Sequence, residues 1–224
     1  MSRVLAGAQE AATTGHPGST AVRVLFEARL PHARWGPLFH VFRLERPDVR
    51  LEWRPTGFPV RGRSLLAGAD VGLFLEPPRE PGLSAFTLEV SPMVVVVAAG
   101  DPLADADELH VDDILDRPFP GGPSLDPEWT SFWTLEEQRG GPCCTNDDVR
   151  TAEELLEVVA AGRAIATAPA SIAGELPHPG VIALPLCDGP PVRTRLVWRC
   201  GDDDPRVDWL VDLAGAWTRD GSPA

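Results

Sequence analysis

The chain carries several side chains able to hold a small anion, and none of the arrangements that make or break bonds. Arg29 and His32 bracket a loop after an alternating apolar stretch, with Leu30 between them. A second loop offers Arg61, Arg63 and Ser64. A third is the FPGGPS run from Phe119 to Ser124, and a fourth spans Thr145 to Asp148. Arginine's fixed fork suits a carboxylate, helix N-terminal amides receive anions, and glycines such as Gly121 let backbone N–H groups approach a ligand. Thr167, on a short apolar strand, is placed near Ala98 on another. The expected ligand-binding set is Arg29, Leu30, His32, Phe58, Arg61, Ala98, Phe119, Gly121, Asn146, Asp147 and Thr167. The expected ligand is a small organic anion with its charge beside Arg29, His32 and Arg61, its apolar part on Phe58, Phe119 and Val97. Singly, each position is equally an ordinary turn residue or surface arginine; their convergence is what points to a site.

Catalytic signatures are absent: no G-x-S-x-G, no Walker loop, no G-x-G-x-x-G, no H-E-x-x-H. Asp112, Asp113 and Asp116 fit a solvated helix face better than an acid/base pair. Asp202, Asp203 and Asp204 flank a proline and fit helix capping. Trp129 and Trp133 share a helix face, which favours core packing over an aromatic ligand box. Adjacent Cys143 and Cys144, with Cys187 and Cys200, make no zinc spacing, so buried reduced thiols are expected and no metal or cofactor.

Composition narrows the partners. A formal net charge of −13 argues against the chain holding a phosphate backbone by itself. All 20 basic residues are arginine. The first 19 residues lack a signal-peptide core, and the apolar run Met93 to Ala99 is far below the ~20 residues of a membrane span. A cytoplasmic protein with no membrane contact is expected.

The elements that must position these residues follow from periodicity. Val22, Val24, Phe26 and Ala28 alternate with Arg23, Glu27 and Arg29, which puts Glu27 on the polar side of a strand. Trp35, Leu38, Phe39 and Phe42 form a helix stripe that ends before Pro47, although Pro37 implies a kink or a late start. Strands are expected at Val49 to Arg54, Val71 to Leu75, Leu88 to Ala99, Val181 to Leu186 and Val192 to Arg199, and helices at Glu128 to Arg139 and Asp208 to Trp217. Between Asn146 and Ala173, Thr151 and Glu154 form a capping box, Ala152, Leu155, Leu156 and Val159 make an inward face, and Gly162 ends the helix. A buried strand, Ile165 to Ala168, follows and stops at Pro169. Alternating units with one long crossover out and one back give a two-lobed α/β fold.

This order resembles the effector-binding domain of LysR-type transcriptional regulators. The resemblance is carried by EVVAAGRAIATAPAS, by Leu30 and Pro31, and by Phe42, Pro47, Asp48, Val49 and Leu51. Gly68 and Asp70 in LLAGADVGLF, the run Asp101 to Ala104, and HVDDILDRPF add to it. Ala164 and Asp101 depart from the family's usual glycine and histidine. The resemblance implies a type-2 periplasmic-binding-protein-like fold, two Rossmann-like subdomains joined by two crossover strands. Subdomain I would comprise 20–92 and 195–217 and subdomain II 93–194, with a linker-helix remnant at 1–19 and a tail at 218–224. It implies a non-enzymatic sensor with a small organic effector in the cleft. It also implies a homodimer, a tetramer in a full-length regulator, and DNA contact only through an N-terminal domain missing from this chain. The expected dimer interface joins Trp35, Leu38, Phe39 and Phe42 to Leu155, Val158 and Val159. A stand-alone cytoplasmic solute-binding protein is the alternative, and an enzyme on the same fold a lesser one.

Overall fold

The computed structural model describes residues 20–27, 32–141, 145, 147–174, 176 and 178–219, without the side chains of 32–34. The expected linker remnant, Arg29, Leu30, the His32 side chain, Cys143, Cys144 and Asn146 lie outside these residues.

Strand β1 (Ala21–Glu27) pairs in parallel with β2 (Arg50–Thr56) and β3 (Val71–Leu75). Parallel pairing requires a crossover, which α1 (His32–Glu45) supplies between β1 and β2. Strands β4 (Leu83–Ser91) and β8 (Val192–Arg199) complete a five-stranded sheet in the order β2-β1-β3-β8-β4, with β8 antiparallel to both neighbours. The Gly68–Asp70 turn fixes the sheet's register. Gly68 takes φ +72°, Asp70 accepts the Arg23 N–H at 2.7 Å, and its own N–H donates to Arg23 O at 3.0 Å.

The apolar run Leu88 to Ala99, expected as one strand, is two. Pro92 has no N–H to give a ladder, so β4 stops at Ser91 and β5 (Met93–Ala98) begins in another sheet. There β5 is the centre of a three-stranded antiparallel sheet, β6-β5-β7, between β6 (Ala166–Pro169) and β7 (Val181–Pro185). Helices α2 (Pro127–Trp133), α3 (Glu136–Arg139), α4 (Ala152–Ala160) and α5 (Ala170–Ala173) accompany it. The single helix expected over 128–139 breaks at Leu135, which takes φ +55° and is buried. Helix α6 (Pro205–Arg219) packs on α1 and β4, and Asp204 accepts the Arg206 N–H at its start. The boundary expected between 194 and 195 falls inside β8, whose first residue pairs with Ser91.

The helix stripes point inward. Trp35, Leu38, Phe39 and Phe42 are at most 4% exposed, and the Phe39 ring meets Trp53 edge-on at 4.5 Å. Val159 is fully buried, and Val158 packs with Val149 and Ala164. These six residues, part of the expected dimer interface, are buried within the chain, so the exposed surface of the two helices is made by other side chains. On α1 that surface shows Gly36, Pro37, His40, Arg43 and Leu44; the helix runs through Pro37. Cys187 and Cys200 are exposed rather than buried, because each ends a strand at a turn.

Candidate ligand cavity

An apolar cavity of about 70 Å³, several waters' worth of space, lies where the two sheets meet. The first sheet contributes Glu27 and Leu75 from the C-terminal ends of β1 and β3, the edge where open α/β sheets hold ligands. The second contributes Val96 from β5 and Ala166 to Pro169 from β6. Phe58, Phe119, Pro120, Val149, Ile172 and Leu176 close the sides, with Trp129, Thr130, Trp133 and Thr134 of α2 and its C-terminal flank. Ala152, Leu155 and Leu156 come from the first turns of α4.

Local chemistry explains why these segments converge. Phe58 N donates to Arg150 O at 2.9 Å, and Gly57 allows the approach, since a Cβ there would collide with that carbonyl. Arg61 N donates to Ser124 O and Asp126 N to Pro59 O, both at 2.9 Å, so the loop after β2 is laced to the start of α2. Asp126 caps α2 by accepting from Glu128 N and Trp129 N, with Pro127 at the first helical position. At α4 the Thr151 hydroxyl accepts from Glu154 N at 3.3 Å. The Glu154 carboxylate reaches Arg150 N, one residue before the expected partner.

Aromatic rings make one wall: Phe58 and Trp129 lie 4.6 Å apart and Trp129 and Trp133 5.9 Å. Three buried polar atoms of lining residues have no hydrogen-bond partner, Trp129 Nε1, Trp133 Nε1 and Thr134 Oγ1. Thr167 Oγ1 donates to Trp133 O at 2.6 Å. Glu27 is 4% exposed, and its Oε2 accepts Leu75 N–H at 3.1 Å. Desolvation by burial raises its pKa to about 7, and the Leu75 hydrogen bond opposes the rise only partly.

Of the expected ligand residues, Phe58, Phe119 and Thr167 line the cavity. Ala98 and Gly121 do not, and Val96 takes the place of Val97 because neighbouring strand residues face opposite ways. Arg61 is exposed outside the cavity, and the Asp147 carboxylate is paired with Arg163. Sequence reasoning passed over Glu27, Trp129 and Trp133. The only signal for the tryptophans was their shared helix face, and it fits core and cavity equally. Glu27, placed on a polar strand face, is buried instead at the end of β1, where it lines the cavity with Leu75, Phe58 and Trp129.

A separate cluster lies outside the cavity. An isolated bridge between Leu109 and Leu186 brings Glu108, His110 and Cys187 together, one donor atom of each within 4.8 Å of the others. All three are exposed, and the nearby Glu108 and Asp188 carboxylates raise the Cys187 thiol pKa.

The model of the family described as LysR substrate binding domain matches residues 17–219. No curated protein matches the chain significantly. The fold is similar to that of the BenM effector binding domain solved with its effector benzoate, at 20% identity, 91% of this chain, 95% of that one and a TM-score of 0.66. It is similar to full-length CbnR complexed with its target DNA (18% identity, 89% of this chain, 71% of that one, TM-score 0.65). The regulatory domain of MetR, a LysR family regulator from N. meningitidis, matches at 20% identity over 87% of this chain and 91% of that one, with a TM-score of 0.56. Cavity position, sheet order and the span of the family match agree: the chain belongs to the LysR substrate-binding domain family.

Proposed function

We propose that this domain senses a small, mainly apolar organic molecule held in the cavity between its two sheets, as the effector-binding part of a LysR-type transcriptional regulator. The observation that carries this is a cavity walled by both sheets at once, so a ligand there bears directly on how they sit together. About 1–3 kcal/mol of differential binding suffices to couple occupancy to an output. DNA contact belongs to an N-terminal domain of the whole regulator, and a homodimer, or a tetramer of full-length chains, transmits the change. A sensing role also suits the lining, where Glu27 has no second titratable group among the described residues to share proton transfer. Among these residues no helix is long and apolar enough to cross a membrane.

The expected anion finds little support in this lining, because no described arginine or histidine is part of it and its one charged group is an acid. The test is a thermal-shift screen of single-ring and short-chain compounds, repeated on Ala152→Trp, which fills the cavity from a half-buried position on α4. Compounds that raise the wild-type Tm are expected to leave the variant's Tm unmoved. Equal shifts in both proteins would place binding elsewhere and overturn the proposal.

A further inference from the structure

We infer that Glu27 makes this cavity a receptor for a small protonated amine, one carboxylate oxygen being held by the Leu75 backbone and the other offered to the ligand. This deepens the sensing role proposed above and rests on it. Glu27 Oε2 is engaged by Leu75 N–H, whereas Oε1 takes no hydrogen bond from any described residue. A carboxylate buried without a cation is costly, and a ligand bringing the cation removes that cost. The rings of Phe58 and Trp129 border the same space, and aromatic faces attract an ammonium while accommodating its apolar substituent, as the Phe119 ring already does for the Arg139 guanidinium 4.3 Å from its centre. An alcohol matches the hydrogen bond but leaves the charge unbalanced, and a carboxylate adds a second negative charge.

No other titratable side chain among the described residues lines the cavity. Glu76, next to Leu75, is occupied by Arg193 at 3.2 Å and Arg195 at 3.8 Å. On β1 itself Arg23 stands four residues away, on β2 Glu52 pairs with Arg50 and Arg54, and on α4 Glu154 is exposed and bonded to Arg150 N. Because the Glu27 carboxyl holds its proton up to about pH 7, an ammonium must displace that proton at lower pH. Amine affinity therefore falls about tenfold between pH 8 and pH 6 through this one group.

The experiment is isothermal titration calorimetry with matched probes, primary aryl and alkyl amines beside the corresponding alcohols and carboxylates. Wild type, Glu27→Gln and Ala152→Trp are compared at pH 8 and pH 6. The glutamine keeps an oxygen for Leu75 N–H and is expected to fold. Amines should bind wild type in preference to the other two classes, weaken about tenfold at pH 6, and lose about tenfold or more in Glu27→Gln, as for a hydrogen bond to a charged group. Alcohols or carboxylates that bind better, and are blocked by Ala152→Trp, overturn the amine assignment and leave the sensing cavity standing. Amine binding indifferent to Glu27→Gln overturns it as well. If no probe binds, or none is blocked by Ala152→Trp, both readings fall.

Discussion

The buried Glu27 carboxyl at the cavity wall ties the stability of the domain to pH. This carboxyl ordinarily titrates near 4.5 and here near 7, so between those values the unfolded chain is ionised while the folded chain keeps its proton. Stability is full below pH 4.5, declines as pH rises through 7, and then stays low. The shift corresponds to about 3 kcal/mol. Glu27→Gln removes the titration. In urea unfolding the variant is expected to gain on wild type by up to about 3 kcal/mol at pH 8, with the gain shrinking toward pH 4.5. A difference independent of pH would show that Glu27 titrates alike in the folded and unfolded chain and that the burial effect is absent. Nothing in the local pattern marks this residue as buried. Alternation assigns Glu27 to the face of Arg23, and only the approach of distant segments such as Phe58 and Trp129 to the end of β1 buries it.

At the scale of elements the sequence was more legible, because periodicity and capping are local. Thr151, Gly162 and Pro169 bound α4 and β6 where their chemistry predicts. Errors arose where a break depends on which sheet receives the chain: Pro92 separates β4 from β5, and left-handed Leu135 separates α2 from α3. The apolar stripes of α1 and α4 were recognised, but their destination was not, since periodicity marks a buried face without naming what buries it. With both stripes buried internally, we propose that the exposed faces of the two helices pair through opposite charges. Helix α1 shows His40 and Arg43 beside Glu45, and α4 shows Glu154 and Glu157. A homodimer that sets α1 of one copy on α4 of the other is expected to be weakened severalfold by His40→Glu with Arg43→Glu, because acids then face acids. Sedimentation across tens of micromolar checks this. An unchanged dimer, or a wild-type monomer, would contradict the pairing.

For the whole molecule, the two-sheet α/β order could be read from the chain, and the cavity only in outline. Phe58 and Phe119 line it from loops at strand ends, and Thr167, expected beside the crossover strand, lines it from β6. Trp129, Trp133 and Leu155 were not expected there, because facing the cavity or the core depends on where α2 and α4 dock against β6. That docking is set by backbone bonds between distant segments, such as Phe58 N to Arg150 O, which leave no pattern in the sequence. Whether a small effector occupies the space between the sheets is decided by a crystal structure with the most stabilising compound of the thermal-shift screen. Density for the compound is expected within the enclosure of Phe58, Trp129, Trp133 and Leu155, with a polar atom on Glu27. Density on the outer surface with this cavity unfilled would contradict it.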